Sequence, residues 1–332
     1  MSSSPPIDTA SDHVAALRSR VDEALPELVA EREPAALYDP IAYVLEGGGK
    51  RVRPIVLLLV AEAYGAPLER ALPAALAIEV FHNFTLVHDD IMDEADERRG
   101  RPTVHVKWDL GTAILAGDMM MGLSYDLLGQ VEGTDEESLY EVYHPMVEQL
   151  CRGQALDAAF ESEADVSVDA YLDMIDGKTA ALLSTAFEVG AIIGRAPGRE
   201  QKRLCEAGRL VGRAFQIQDD LLDLTADGDN WGKAVGGDLV TGKKTFLTLR
   251  ALERAEGAEF EWFARIVTDG GLPPEDVAEA RERMDWLGVF GDARDAVEHY
   301  SERARDLLQV VPEGRAAASL RWLIAQMEAR SH

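Results

Sequence analysis

Lysine is nearly missing from this chain. Of 33 basic residues in 332, seven are lysines, at positions 50, 107, 178, 202, 233, 243 and 244, and against the basic residues stand 60 acidic ones for a formal net charge of −27. A field of that sign repels phosphate backbones and anionic lipid, so nucleic acid and membrane surfaces are excluded as general partners. Acid in excess, with arginine in place of lysine, resembles the composition of proteins from salt-saturated cytoplasms. At molar salt the Debye length falls to about 3 Å, and surface self-repulsion is screened. A halophilic protein is therefore expected, against the plainer alternative of an ordinary acidic enzyme. Cysteine is also scarce. Cys151 and Cys205 stand alone in helical patterns and form no CxxC pair, which excludes a disulfide framework and a zinc site and leaves them as expected core thiols. Long apolar runs are absent: the longest, IVLLLVA at 55–61, is far short of a membrane span. The opening MSSSPPID has neither a basic region nor an apolar run, so no secretory signal and a cytoplasmic location are expected.

Strand-type alternation is missing as well, and apolar residues recur at i, i+3 and i+4 nearly throughout. The reading is an all-α protein with one domain over 8–332 behind a disordered stretch at 1–7. Asp8 or Ser11 is expected to cap a first helix to about Glu31, which Pro34 ends. GGGKRVRP at 47–54 makes a glycine turn, from which Pro54 opens a helix to about Tyr64. A long apolar helix follows Pro73 and ends near Asp93. RRGRPT after it is expected to be a loop, as is the glycine-rich 228–242. Further helices are predicted over 107–129, 136–161, 167–193, 198–225, 243–255, 257–268, 274–286, 289–310 and 315–330.

Two clusters carry the chemistry. HDDIMDEADERRGRPTVH at 88–105 and FQIQDDLLDLTADGDNWGKAVGGDLVTGKKT at 215–245 each hold a DDxxD followed by cations. On a helix i and i+4 share a face, so Asp89 with Asp93, and Asp219 with Asp223, each present two carboxylates in one direction. Like charges so placed repel unless a cation lies between them. Mg²⁺ suits the donors, being hard and commonly held by one or two carboxylates plus substrate phosphates. His82, Thr85, Asp89 and Asp93 fall on one stripe; Gln216, Asp219 or Asp220, and Asp223 fall on another. The competing reading is a solvated acidic face. The apolar settings TLVHDDIM and FQIQDDLL weigh against it, and EF-hand spacing is absent. Arg98 and Arg99 can make bidentate bonds to phosphate. Lys50, Arg51 and Arg53 follow three glycines but do not meet the Walker pattern.

GGGKRVRP, HDDIMDEADERRGRPT, DGKTAALL at 176–183, and GRAFQIQDDLLD with GKAVGGDLVTGKKT resemble, in order and spacing, the trans-isoprenyl diphosphate synthases. The resemblance covers roughly residues 35–250. It implies the isoprenoid synthase fold, a helical bundle around a central cavity, in a homodimer that joins isopentenyl diphosphate to allylic diphosphates. By position, Asp89, Asp93 and Asp219 would hold Mg²⁺, roughly three ions per site, with Asp90, Asp220 and Asp223 in support. Arg98, Lys178, Lys233 and Lys243 would clamp the allylic diphosphate. Lys50, Arg53, His82 and Arg99 would bind isopentenyl diphosphate. Thr179 and Gln216 match polar residues near the developing carbocation, and Gln154 and Asp157 match a segment facing the cavity. No nucleophile is required, and no Ser/His/Asp or Cys/His set is found.

Chain length would be set on the helix before Asp89. Phe84 lies about 7.5 Å back along the axis and Phe81 about 12 Å back. An aromatic at that fifth position with the small Thr85 at the fourth resembles archaeal geranylgeranyl synthases, so a twenty-carbon product is expected. The alternatives are a farnesyl or longer-chain synthase, a non-catalytic partner subunit, which would usually lose aspartates, and a terpene cyclase, which usually carries a different second motif.

Overall fold

The computed structural model describes residues 9–163, 165–226 and 235–328. The expected disorder at 1–7, and the residues Asp8, Trp231 and Lys233, lie outside the described residues. Helix dominates, as the periodicity predicts. The elements are α1 (Ala10–Glu27), α2 (Ala35–Leu45), α3 (Val52–Ala63), α4 (Leu68–Met92), α5 (Val104–Lys107), α6 (Leu110–Leu128), α7 (Glu136–Ser162), α8 (Val168–Ile175), α9 (Ala181–Ile193) and α10 (Gly198–Thr225). Further helices cover Gly237–Val240, Phe246–Arg254, Ala258–Thr268, Val277–Trp286, Val289–Leu308 and Arg315–Glu328. The described residues fall into two compact units, one within Met1–Tyr143, Thr185–Lys202 and Val310–Leu323, the other within His144–Ser184, Arg203–Gln309 and Ile324–His332.

In the first unit α4 is the central element and packs on α3 and α6. Over residues 71–78 it is apolar on every side, which marks a core helix; Ala74, Ala75, Ala77, Ile78, Val80 and Phe81 have no exposed surface. Burying a side chain such as Ile78 or Phe81 contributes about 1.5–3 kcal/mol. The helix begins at Leu68 and not after Pro73, which lies inside it. Four further expectations are corrected. Thr9, not Asp8 or Ser11, caps α1: its hydroxyl accepts from the backbone N–H of Asp12 at 3.1 Å and donates to the Asp12 carboxylate at 2.6 Å. That helix stops at Glu27, just after the internal Pro26. RRGRPT is not a plain loop, because Glu97–Arg98 pairs antiparallel with Arg101–Pro102. Arg99 and Gly100 turn the hairpin with φ of 55° and 70°, the left-handed pair that suits a two-residue connection. Cys151 is exposed and Cys205 only half-buried, so neither is a core thiol; Cys205 Sγ lies 3.2 Å from Ser184 Oγ.

α1, α3 and the last helix meet at a buried histidine. His13 Nδ1 lies 3.0 Å from Ser319 Oγ and its Nε2 3.0 Å from Glu62. Burial is the larger influence and holds its pKa below the usual 6.5, against the opposing pull of Glu62. Between the folded pKa and 6.5 the unfolded chain binds the extra proton, so stability is lost as pH falls through that window. Melting at about pH 5.5 should therefore be lower than at about pH 7.5, with a smaller drop in His13→Gln. An identical drop in the variant would contradict the assignment.

The second unit closes around Phe160, Tyr171, Ile217, Leu247, Phe263, Met284 and Val289. The predicted helix over 167–193 is interrupted by a π turn at Asp176–Ala180. No described helix is long and apolar enough to cross a membrane.

Candidate active site

The first cluster lies where α4 runs out. Asp93 is its C-cap, with its N–H on the Asp89 carbonyl at 2.8 Å. Asp89 is half-buried and Asp93 exposed, while Asp90 turns inward and is buried. There its carboxylate accepts from Arg98 Nε at 2.7 Å. Burial raises the Asp90 pKa, and Arg98 works against that shift. This ion pair fastens the hairpin to α4, helped by Thr103, whose hydroxyl donates to the Ala95 carbonyl at 2.8 Å. A cleft under the hairpin is lined by Tyr43, Leu86, Val87, Arg98, Arg99 and Arg101.

Cations gather about two turns back along α4, around His82. Arg53 Nη1 donates to His82 Nε2 at 3.1 Å, and Arg99 Nη1 donates to the Gly48 carbonyl. Burial first, then Arg53, Arg99, Arg98 and Arg51, push the His82 pKa well below 6.5. The ring is neutral, and since it accepts at Nε2 its proton sits on Nδ1. Burial also lowers the pKa of Arg53 and of Arg99, and Arg53 Nε is buried without a partner. The nearby carboxylate, Glu79, is taken by Arg51 at 2.6 Å. Cations crowded and desolvated in this way lack compensation that an anion would supply. Lys50, beside them in sequence, is exposed.

Sequence reasoning left Arg51 without a role. It is 4% exposed, sits at φ 50°, and donates to Asp22, Glu79 and the Leu45 carbonyl. It pins the turn whose neighbours Lys50 and Arg53 were predicted to bind substrate.

In the second unit the π turn presents Lys178 and Thr179. Arg209 and Arg213 hold its first residue, Asp176, at 2.9 and 2.6 Å. A glycine pair lets α7 come close: a Cβ on Gly153 would lie 2.3 Å from the backbone N of Lys178, and one on Gly177 would lie 2.5 Å from the Gln149 carbonyl. Lys178 pairs with Asp157, and the Thr179 hydroxyl donates to Gln216 Oε1 at 3.1 Å. Gln216 Nε2 donates in turn to Asp220 at 3.0 Å. Gln154, on α7, is half-buried.

Asp220 is buried, whereas Asp219 and Asp223 are half-exposed. Burial pushes the Asp220 pKa up to about 7, against its hydrogen bonds from Tyr171 and Gln216. Asp223 accepts from the backbone N–H of Asp238 at 3.2 Å. Lys243 is exposed, but Lys244 is buried and caps the end of α7 by donating to the Phe160 and Glu161 carbonyls. The rarity of lysine flags Lys244 in the sequence, yet only the fold shows that it serves the backbone.

The three chain-length candidates lie together on α4. Phe81 is fully buried and Phe84 nearly so. Their rings meet edge-on at 5.1 Å, and Phe81 meets Tyr143 of α7 at 5.6 Å. The Thr85 hydroxyl donates to the His82 carbonyl at 2.8 Å. Tyr143 escaped the sequence reading because nothing local connects it to α4.

A family model for polyprenyl synthetases matches residues 34–284. The chain is 38% identical over 305 residues to a geranylgeranyl diphosphate synthase of Methanosarcina mazei, covering 91% of this chain and 92% of that one. It is 39% identical over 331 residues to a geranylfarnesyl diphosphate synthase of Natronomonas pharaonis, covering 93% and 95%. A solved geranylgeranyl pyrophosphate synthetase from Pyrococcus horikoshii is 37% identical with a TM-score of 0.90, covering 97% and 99%. The chain belongs to the polyprenyl synthetase family, and its fold is the all-α isoprenoid synthase fold.

The family implies Mg²⁺, and the donors fit it. Each outer pair, Asp89 with Asp93 and Asp219 with Asp223, offers hard oxygens at i, i+4 on an accessible face. Among the described residues no three His, Cys, Asp or Glu side chains form a ready metal cluster. Pairs completed by substrate phosphate are the arrangement Mg²⁺ commonly takes.

Proposed function

We propose that this protein is a short-chain trans-prenyltransferase that condenses isopentenyl diphosphate with allylic diphosphates, chiefly to geranylgeranyl diphosphate. The observation that carries the reading is the same division within each DDxxD cluster. The second aspartate, Asp90 or Asp220, is buried and spent on a protein partner, while the first and last remain on a shared accessible face. That division is costly on a merely solvated surface and useful for a metal-bound diphosphate.

Asp89, Asp93, Asp219 and Asp223 would hold Mg²⁺, with Asp90 and Asp220 orienting them. When bound, Mg²⁺ neutralises charge that builds on the departing diphosphate. Arg98, held through Nε by Asp90, orients its guanidinium toward the allylic diphosphate, and Lys178, Lys233 and Lys243 add donors. Lys50, Arg53, neutral His82 and Arg99 bind isopentenyl diphosphate. As the allylic C–O bond breaks, Thr179 and Gln216 direct their oxygens at the developing cation. The isopentenyl double bond then forms the new C–C bond, and a proton leaves to the released diphosphate. Exclusion of water protects the cation from quenching to an alcohol.

A farnesyl or longer product is the alternative, and the geranylfarnesyl relative keeps the longer one in view. Both aspartate clusters are intact, which disfavours a non-catalytic subunit. The reading treats 8–332 as one catalytic domain of a cytoplasmic, halophilic enzyme. The test supplies isopentenyl diphosphate with each allylic primer and Mg²⁺, at low and molar KCl, and measures product length. Geranylgeranyl diphosphate should dominate, and absence of condensation under every condition would refute the reading.

A homodimer is part of the proposal. Leu110, Ile114 and Leu115 on adjoining turns of α6 are more than two-fifths exposed, an apolar stripe that a second copy of the chain would cover. Leu115→Glu should shift the protein to monomer in sedimentation at micromolar concentration; a wild type that already sediments as monomer would contradict the dimer.

A further inference from the structure

Tyr171 is a side chain to which neither the motifs nor the family reading assigns a role. Ser167 caps α8 by accepting from the N–H of Ala170 at 3.1 Å, and Tyr171, one turn in, points into the core with 2% exposure. A buried phenol needs a partner for its hydroxyl. It finds Asp220 Oδ2 at 2.5 Å. The same oxygen accepts from the backbone N–H of Phe246 at 3.1 Å, and Oδ1 accepts from Gln216 Nε2 at 3.0 Å. Asp220 thus joins three stretches of the second unit: α8, α10 and the start of the helix that follows Lys243 and Lys244.

The geometry has a directional consequence. Asp220 lies between Asp219 and Asp223 on one helix, where neighbours differ by about 100° around the axis. Pinning Asp220 inward fixes the rotation of α10 at which Asp219 and Asp223 face outward. It also fixes Gln216, and through it Thr179 on the π turn. Phe246 N–H and Gln216 Nε2 each hold one oxygen of that carboxylate, but Gln216 stands on α10 itself, so these two bonds tie the helix to a single other stretch. The 2.5 Å bond from Tyr171 adds the tie to α8.

We propose that Tyr171 is a positioning residue that acts through Asp220 to hold the Asp219–Asp223 pair in the orientation that binds Mg²⁺ with diphosphate. The proposal rests on the prenyltransferase reading for its metal. Outer-shell hydrogen bonds of this kind typically carry about 10–100-fold in metal affinity or activity. Tyr171→Phe keeps the ring and its packing and deletes the hydroxyl.

The test is calorimetric titration of Mg²⁺ into the full-length protein with inorganic diphosphate present, alongside steady-state kinetics. Tyr171→Phe should weaken Mg²⁺ binding about tenfold and raise the Mg²⁺ concentration for half-maximal turnover in step. The KM for isopentenyl diphosphate, assigned to first-unit residues, should not move. Tyr64→Phe is the control: it deletes a phenol bonded to a carboxylate, Glu200 at 2.8 Å, and should leave Mg²⁺ binding unchanged. If Tyr171→Phe is too unstable to purify, 3,5-difluorotyrosine at 171 keeps the volume and alters the acidity of the hydroxyl, and should still shift the Mg²⁺ requirement. Unchanged Mg²⁺ affinity at position 171, or an equal loss in Tyr64→Phe, would overturn the proposal. A wild type that binds Mg²⁺ and diphosphate but never condenses substrates would refute the proposed function while the titration still decides the role of Tyr171.

Discussion

Asp89→Ala should lower turnover about 10³-fold while leaving the fold intact. Asp89 is half-buried on the last turn of α4 and shares its face with Asp93, so no core packing is lost with its carboxylate. Removing one of two like charges at i, i+4 relieves a small repulsion, of about 0.2–0.5 kcal/mol; the melting temperature should hold or rise slightly. Under the proposed function the loss should be catalytic, because the variant lacks one of the two carboxylates assigned to the metal. Asp90→Asn makes the contrast. It unseats Arg98 from its ion pair, so its effect should appear in allylic-substrate KM and in stability. Kinetics and melts of the two variants separate the roles, and an Asp89→Ala enzyme within about tenfold of wild type would contradict the metal assignment.

Phe84→Ser should move the main product from geranylgeranyl to geranylfarnesyl diphosphate. The ring of Phe84 meets that of Phe81 edge-on at 5.1 Å. With Phe84 gone, the next aromatic is Phe81, about 4.5 Å further along the axis. Phe81 is fully buried and backed by Tyr143 at 5.6 Å, so it should stop the chain after one more isoprene unit. The variant should also lose about 3–5 kcal/mol of stability, the usual cost of truncating a buried aromatic. Product chromatography and a thermal melt check both parts. A profile identical to wild type would show that the growing chain does not meet Phe84.

Much of this architecture is legible in local sequence. Apolar residues at helical spacing place α7 and α10 to within a residue, because helices that bury one face carry their period wherever they stand. The outer aspartates are legible for the same reason, since i, i+4 spacing fixes a shared face. The inward fate of Asp90 and Asp220 is not, because it depends on Arg98 across the hairpin and on Tyr171 across the second unit. The hairpin itself is not legible, because two paired residues on each side are too few for an alternating pattern, and only the fold shows the left-handed turn at Arg99 and Gly100. The π turn at Asp176–Ala180 likewise carries the periodicity of unbroken helix. Its cause is tertiary, in the close approach of Gly153 to Gly177 and the arginines on Asp176. Arg51 and Lys244 stand among the cations of the motifs in the sequence, but the fold spends them on Glu79 and on the end of α7.

The most direct test of the central claim, that the outer aspartates of each cluster hold metal when an allylic diphosphate is present, is a Mg²⁺ titration with a non-ionisable allylic thiodiphosphate. Wild type should bind Mg²⁺ tightly only when the analogue is present, and both Asp89→Ala and Asp219→Ala should abolish that dependence. Wild-type binding in either variant would contradict the account.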